Sequence, residues 1–227
     1  TSQVTRVTAA ESPDSVNWDD IAGGPGSSQN ADVVLQGLES RGRRVSGAVR
    51  GMSYDSGATH DLSAANTHVG WWVQVLQPGA LSTDGAEFIL GGASTPTTSP
   101  WSGWVALTAA TYPAVGGWVR VWLDPTRVRN FGVGTLSLAA VRQFGIEFDM
   151  LTVGGNVQNC LIDSIGFTNK GLLVSLGTAP SPATFQDFVA FDEGNSLNRF
   201  GVVVTRDGVV FCLARLTLGN ADATIFA

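Results

Sequence analysis

The chain has 227 residues, a formal net charge of −6 and 14% charged residues, against about 25% in an average soluble domain. Hydrophobic residues make up 44% of it, which excludes the low-hydrophobicity, high-charge composition of disordered chains. The acidic balance argues against nucleic-acid binding, which favours a basic surface patch. No apolar stretch is long and uninterrupted enough to predict a membrane span.

Short apolar runs alternate along the chain with clusters of Gly, Asn, Asp, Ser and Pro, which is typical of strands joined by turns. Helix signals are weak, because 61–68 is too short and 136–144 accommodates one or two turns at most. Period-two alternation within several runs predicts strands with one face on a core. The predicted strands are 16–21, 32–36, 43–52, 68–76, 86–90, 103–108, 117–123, 143–150, 157–167, 172–175, 183–191, 199–205, 209–218 and 223–226.

So many short strands with regularly spaced turns predict an all-β fold, an antiparallel jelly-roll β-sandwich with a β-rich C-terminal extension. All 7 tryptophans precede residue 123, whereas the segments after Lys170 are short and rich in Phe and Val. We therefore divide the chain into an N-terminal arm (1–15), the sandwich (16–169) and the extension (170–227).

The extension is expected to form an interface. Asp207-Gly208 separates two apolar runs and predicts a hairpin. The second run, 209–218, is apolar on both faces, and such a strand needs cover on both. We expect that cover to come from sister subunits or neighbouring proteins.

Two similar segments, VNWDDI at 16–21 and LIDSIGF at 161–167, lie at the two ends of the predicted sandwich. Their similarity suggests first and last strands that run side by side in one sheet. Their aspartates have two interpretations, a structural Ca²⁺ site or caps at strand ends.

Cysteine and histidine are too few to predict a metal or cofactor site. The chain has 2 of each, without CxxC or paired Cys/His spacing. Cys160 and Cys212 fall in apolar runs, so we expect buried free thiols. We predict no cofactor, no metal ligand and no catalytic residue, and we expect that the protein is not an enzyme.

Paired carboxylates are the one catalytic arrangement that the sequence leaves open. Glu147 and Asp149 share a strand face in IEFDM, and Asp84 and Glu87 are further candidates for a glycosidase pair. Carboxylates two residues apart on an outer strand face are also common without catalysis.

The tryptophans are the candidate ligand-binding residues. Trp71 and Trp72 are adjacent in a predicted strand and point to opposite faces, while the segment PWSGW is expected to place Trp101 and Trp104 on a Pro/Gly-rich loop. Exposed rings of this kind stack on sugars, and buried ones fill a wide core or a subunit interface. Both interpretations stay open at this point.

A basic cluster is formed by Arg41, Arg43, Arg44 and Arg50. It has two interpretations, a solvated strand edge with nearby aspartates or a docking patch for an acidic partner.

Several segments together resemble virion structural proteins of tailed bacteriophages, among them GGWVRVWLDP, FGIEFDM, LIDSIGF and NRFGVVVTRDGVVFCLARLTLGN. The resemblance runs from about Trp18 to Ala227 and rests on spacing, glycines and a few Asp and Trp positions. It implies a concanavalin-like or carbohydrate-module-like jelly roll followed by a β-rich extension. It also implies a place on the particle, in capsid decoration (as a cement protein) or in the tail, and no catalytic residue.

The expected function is therefore that of a non-enzymatic virion structural protein, assembled in the host cytoplasm. It would act by packing against other copies of itself and neighbouring virion proteins, without nucleic acid or membrane. Interfaces favour Arg and aromatic residues over Lys, and the chain has 12 Arg among its 13 basic residues. The first alternative is a carbohydrate-binding module for host surface glycans, and the second is a glycan hydrolase.

Overall fold

The computed structural model describes residues 5–10, 17–24, 26–35, 38–64, 67–112, 117–155 and 157–168, and the backbone of two short strands further on. Two 3-10 turns lie at Pro78–Ala80 and Leu138–Ala140, and none of the helices in this part is long and apolar enough to cross a membrane. The strands are β1 (Thr5–Thr8), β2 (Trp18–Ile21), β3 (Ser28–Asn30), β4 (Ser40–Arg43), β5 (Ala48–His60), β6 (His68–Val75), β7 (Leu81–Gly91), β8 (Trp101–Leu107), β9 (Val119–Leu123), β10 (Phe131–Val133), β11 (Val141–Met150), β12 (Cys160–Thr168), β13 (Val203–Val204) and β14 (Val210–Cys212).

These strands form two antiparallel sheets. The eight-stranded sheet has the order β13-β14-β9-β6-β12-β4-β3, with β1 paired to β12, and the six-stranded sheet has the order β10-β8-β7-β11-β5-β2. Between β3 and β12 the chain changes sheet at most connections. The architecture is thus the predicted all-β, antiparallel jelly-roll sandwich.

The core lies between the sheets and follows the predicted alternation. In β9, Val119, Val121 and Leu123 belong to the core cluster, while Arg120 and Trp122 face away from it. Across the core, the rings of Trp71 in β6 and Phe88 in β7 meet edge to face, with centroids 4.9 Å apart. Such aromatic contacts add to the free energy of burial.

The predicted strand 43–52 is in fact the end of β4 and the start of β5, which lie in different sheets. The chain turns at residues 44–47, where Gly47 has a φ of +58°. A side chain rarely adopts this backbone conformation, which is why glycine ends the strand here. The alternation within RRVSGAVRGM therefore does not describe one continuous strand.

The expected pairing of the two end strands is wrong. β2 pairs with β5 in the six-stranded sheet, whereas β12 lies in the eight-stranded sheet. The N-terminal strand that pairs with β12 is β1, with Thr5 opposite Phe167. Part of the segment 1–15, expected as an arm, thus contributes a strand to the sandwich.

Little of the extension lies within the described residues. β13 and β14 pair antiparallel on either side of Asp207-Gly208, as the hairpin signal predicts, and β14 pairs with β9 through Val210 opposite Trp122. The expected interface of segment 170–227 concerns side chains outside the described residues.

Candidate functional site

Two of the four candidate tryptophans belong to the core. Trp71 is fully buried against Phe88, and Trp104 is 2% exposed, with its indole N–H donating to the Arg127 carbonyl at 3.3 Å. Their positions on the inward face of the sheets fit the packing interpretation and leave no ring surface for a ligand.

Trp72 faces away from the core on the eight-stranded sheet but is also buried, at 4% exposed. The Arg120 guanidinium lies over the Trp72 ring at 5.6 Å from its centroid, and over Trp122 at 4.6 Å. The Trp72 ring is therefore engaged in a cation–π contact inside the protein and is not accessible to a ligand.

Trp101 is the candidate tryptophan that reaches solvent. The expected loop is wrong, because Trp101 and Trp104 both belong to β8, which pairs with β7. Trp101 starts the strand and is half-buried on the outer face of the six-stranded sheet, the side away from the core. Its ring meets that of Phe131 in β10, with centroids 5.6 Å apart and planes inclined by 68°. We call Trp101 and Phe131 the ring pair.

The backbone around the ring pair holds it in place. Phe131 lies opposite Gly103, and a Cβ at Gly103 would overlap the Phe131 ring, so the ring lies against bare backbone. The Arg129 guanidinium donates to the Gly134 carbonyl at 2.6 Å and to the Trp101 carbonyl at 3.4 Å, which ties the residues on either side of β10 to the start of β8.

Strand register arranges the outward positions of this sheet into three rows that run across the strands. Rows along one strand are about 6.7 Å apart, because side chains alternate between faces. The first row is Val133, Trp101, Gly91, Gln143 and Asp55; the second is Phe131, Gly103, Ile89, Gly145, Ser53 and Asp19; the third is Val105, Glu87, Glu147, Gly51 and Ile21.

The third row brings two carboxylates together. Glu87 in β7 and Glu147 in β11 are direct cross-strand partners, and both are half-buried. Burial, together with the charges of Glu147, Asp84 and Asp149, raises the pKa of Glu87 to about 7. Burial also raises the pKa of Glu147, against the opposing effect of Arg43. We call Glu87 and Glu147 the acidic pair. Both were candidates for a glycosidase pair in the sequence, and the fold makes them direct neighbours.

Further carboxylates surround the acidic pair. Asp149 accepts a hydrogen bond from the Ser82 hydroxyl. At the β5 side, Asp55 pairs with Arg142 through two hydrogen bonds of 2.6 and 2.8 Å, and this contact lowers the pKa of Asp55. Burial and the neighbouring Asp55 raise the pKa of Asp19.

Gln143 connects the first two rows with the loop before β8. It is 1% exposed; its amide N–H donates to the Ser94 carbonyl at 2.6 Å, and its amide oxygen accepts from the Ser53 hydroxyl at 2.7 Å. Both amide groups are therefore engaged, and the loop that leads to Trp101 is fastened to the sheet.

The arginine cluster does not form one exposed patch. Arg41 is buried over the Trp18 ring and bonds to Ser27, while Arg44 and Arg50 are partly exposed. The docking interpretation can therefore concern only the latter two, whereas Arg41 and Arg43 serve the fold.

Arg43 joins the two sheets. Its fully buried guanidinium donates to the carbonyl of Ile21 at 2.6 Å and to the carbonyls of Gly51 and Gly23, with Asp20 at 3.9 Å. A buried guanidinium needs such partners, because a buried charge without them is costly. Arg43 in β4 thus binds backbone of β2 and β5.

In each of the two end segments, an aspartate accepts a hydrogen bond from a backbone N–H group. Asp20 accepts from Ser27 N–H at 2.8 Å, and Asp163 accepts from Leu35 N–H at 2.7 Å. No group of three or more potential metal-ligating side chains lies together in the described part of the chain. Cys160 is a buried free thiol, and the side chain of Cys212 lies outside the described residues.

Sequence reasoning identified Trp101, Glu87 and Glu147 but missed Phe131 and Gln143. Phe131 lies in a strand of three residues that shows no alternation. Only its pairing with β8 brings it to Trp101, and no local signal predicts that pairing.

Comparisons with known proteins give little further information. No protein-family model matches the chain, and no curated protein matches it. Among solved structures, the chain is similar to a xylan-binding module, CBM15, with a TM-score of 0.36 and 12% identity over 74% of this chain and 97% of that one. At this level of similarity the match carries no functional information about this chain.

Proposed function

We propose that the protein binds a carbohydrate on the outer face of the six-stranded sheet. The ring pair carries this proposal, because Trp101 and Phe131 are half-buried aromatic side chains in contact with each other on a surface away from the core. Half-exposed rings on a rigid strand offer a flat apolar surface with little conformational entropy to lose.

The acidic pair complements the rings. Sugar hydroxyls need acceptors, and ionised carboxylates are strong ones. From strand spacing and row separation, the backbones of Phe131 and Glu87 lie about 12 Å apart, and the six strands together span about 24 Å. A sugar chain lying across the strands could therefore stack on the rings and donate hydroxyl hydrogen bonds to the carboxylates.

The experiment is affinity electrophoresis and pull-down against a panel of polysaccharides, with Trp101→Ala and Phe131→Ala. Each variant should weaken retention by about tenfold or more, as stacking contributes roughly 1–3 kcal/mol per ring in other aromatic platforms. Trp118→Ala is the matched control, because Trp118 is another half-buried tryptophan but immediately precedes β9 in the other sheet.

Equal retention of the wild type, Trp101→Ala and Phe131→Ala would contradict the proposal. It would also be contradicted if the wild type were retained by none of the polysaccharides. A reducing-sugar assay on the same panel tests the hydrolase alternative. If the wild type releases reducing ends and Glu87→Gln does not, the function is hydrolysis of the glycan and not binding alone.

The virion role rests on the sequence resemblance and stays a separate proposal. The composition supports it, because a chain with 12 Arg among 13 basic residues suits packing against other proteins. Its test is light scattering of the full chain and of a chain ending at residue 169. Self-association that needs the extension is expected, and a monomer in both cases would count against this role.

A further inference from the structure

We infer that Glu87 and Glu147 determine the charge class of the glycan, so that the outer face selects neutral or amine-bearing polymers over those with carboxylate or sulfate groups. This inference rests on the proposed function, because it assigns a specificity to the same face.

The positions that β7, β8, β10 and β11 contribute to the three rows include carboxylates and no arginine or lysine. Their ionisable side chains are Glu87 and Glu147, and Asp149 lies two residues further along β11. A glycan that runs from the rings to the third row therefore meets these carboxylates.

The cations in the neighbourhood are already engaged. Arg142 is held by the two hydrogen bonds to Asp55, and Arg43 is fully buried among backbone carbonyls. Arg129 is exposed but donates to the carbonyls of Gly134 and Trp101. Of these three, the buried Arg43 acts on the acidic pair, where its charge opposes the raised pKa of Glu147.

The physical effect is repulsion at short range. Two half-buried carboxylates interact with a third charge more strongly than exposed ones do, because the local dielectric constant is lower than that of water. A hydroxyl can donate to them, an ammonium group gains from them, and a carboxylate or sulfate can do neither. Discrimination by an unfavourable charge contact is a general route to specificity.

The test measures the affinity for neutral polysaccharides and for the same polymers carboxylated at C6. The neutral probes are cellulose, amylose and galactomannan. At pH 8, where Glu87 with its pKa of about 7 is mostly ionised, the wild type should bind the carboxylated form at least about tenfold more weakly at low salt. The ratio of the two affinities should shrink in 0.5 M NaCl, where the Debye length is below about 5 Å. In the double variant Glu87→Gln/Glu147→Gln the ratio should fall to about threefold or less, because amides are nearly isosteric and uncharged.

Asp32→Asn/Asp124→Asn is the matched control, since it removes the same charge from residues that follow β3 and β9 in the other sheet. It should leave the ratio unchanged. An unchanged ratio in the Glu87/Glu147 variant, or equal binding of both polymer forms by the wild type, would overturn the inference while Trp101→Ala still tests the site itself. If no probe binds the wild type, the proposed function fails and the inference fails with it.

Discussion

Glu87 and Glu147 stand directly opposite each other on the antiparallel strands β7 and β11, and both reach the outer face. Like charges in this position destabilise a strand pair. The sheet therefore retains an unfavourable arrangement on its two middle strands, on the same face as the ring pair. Carboxylates of this kind are more often found at functional sites than elsewhere on a protein surface.

The acidic pair makes stability depend on pH. Burial and its acidic neighbours raise the pKa of Glu87 from 4.5 to about 7, so between these values the folded state binds more protons than the unfolded one. The contribution of Glu87 to the free energy of unfolding is therefore most favourable below about pH 4.5 and falls as the pH rises towards 7. Glu87→Gln should therefore raise the melting temperature at pH 8 and change it little at pH 4.5.

We expect an increase of about 2–4 °C at pH 8, equivalent to roughly 1 kcal/mol for a chain of this size after allowance for solvent screening. Thermal denaturation at both pH values measures it, and Asp32→Asn, at an exposed position after β3 in the other sheet, is the control. An effect of the same size at pH 4.5 would show that charge is not its cause.

Arg43 should be the most important arginine for stability. Arg43→Met removes the donor to the buried carbonyls of Ile21 and Gly51 and to the more exposed carbonyl of Gly23, and the free energy of unfolding should fall by about 3 kcal/mol or more. Urea denaturation measures this change.

Arg44→Met is the matched control for that experiment. Arg44 is the next residue, is partly exposed and donates a hydrogen bond to the Gly155 carbonyl at 3.0 Å. Its removal should change stability by about 0.5 kcal/mol. Similar losses in the two variants would mean that the carbonyl contacts of Arg43 contribute little.

Gly103→Ala should displace the Phe131 ring without unfolding the protein. The new Cβ would overlap the ring, and the ring can move because it is half-buried on the edge strand β10. Glycan retention should fall while stability changes by about 1 kcal/mol. Gly79→Ala is the control, because a Cβ there meets nothing within 4 Å. Unaltered glycan retention in Gly103→Ala would show that binding does not depend on the position of the Phe131 ring.

Cys160 should be chemically inert in the folded protein. Its thiol is buried, and burial raises its pKa, so little thiolate forms at neutral pH. In Cys212→Ser, a thiol reagent should react with Cys160 only after denaturation. Fast reaction under native conditions would contradict the core position of this residue.

The fold class could be predicted because it depends on local chemistry. Alternation in 119–123 assigns Val121 to the core and Arg120 to the opposite side whatever the partner strands are, and β9 has this arrangement. By contrast, nothing in 43–52 distinguishes one long strand from two, because Gly47 is compatible with both until its backbone conformation is known.

The candidate site required the tertiary structure. The sequence was enough to predict that Glu147 and Asp149 share a face, because side-chain alternation is a property of one strand. It also shows that tryptophans are abundant. Which tryptophan reaches solvent, and that Trp101 meets Phe131 while Glu147 meets Glu87, was decided by strand order and register. Those contacts join residues far apart in the chain, so their formation depends on how the whole sandwich buries its core and not on any local signal.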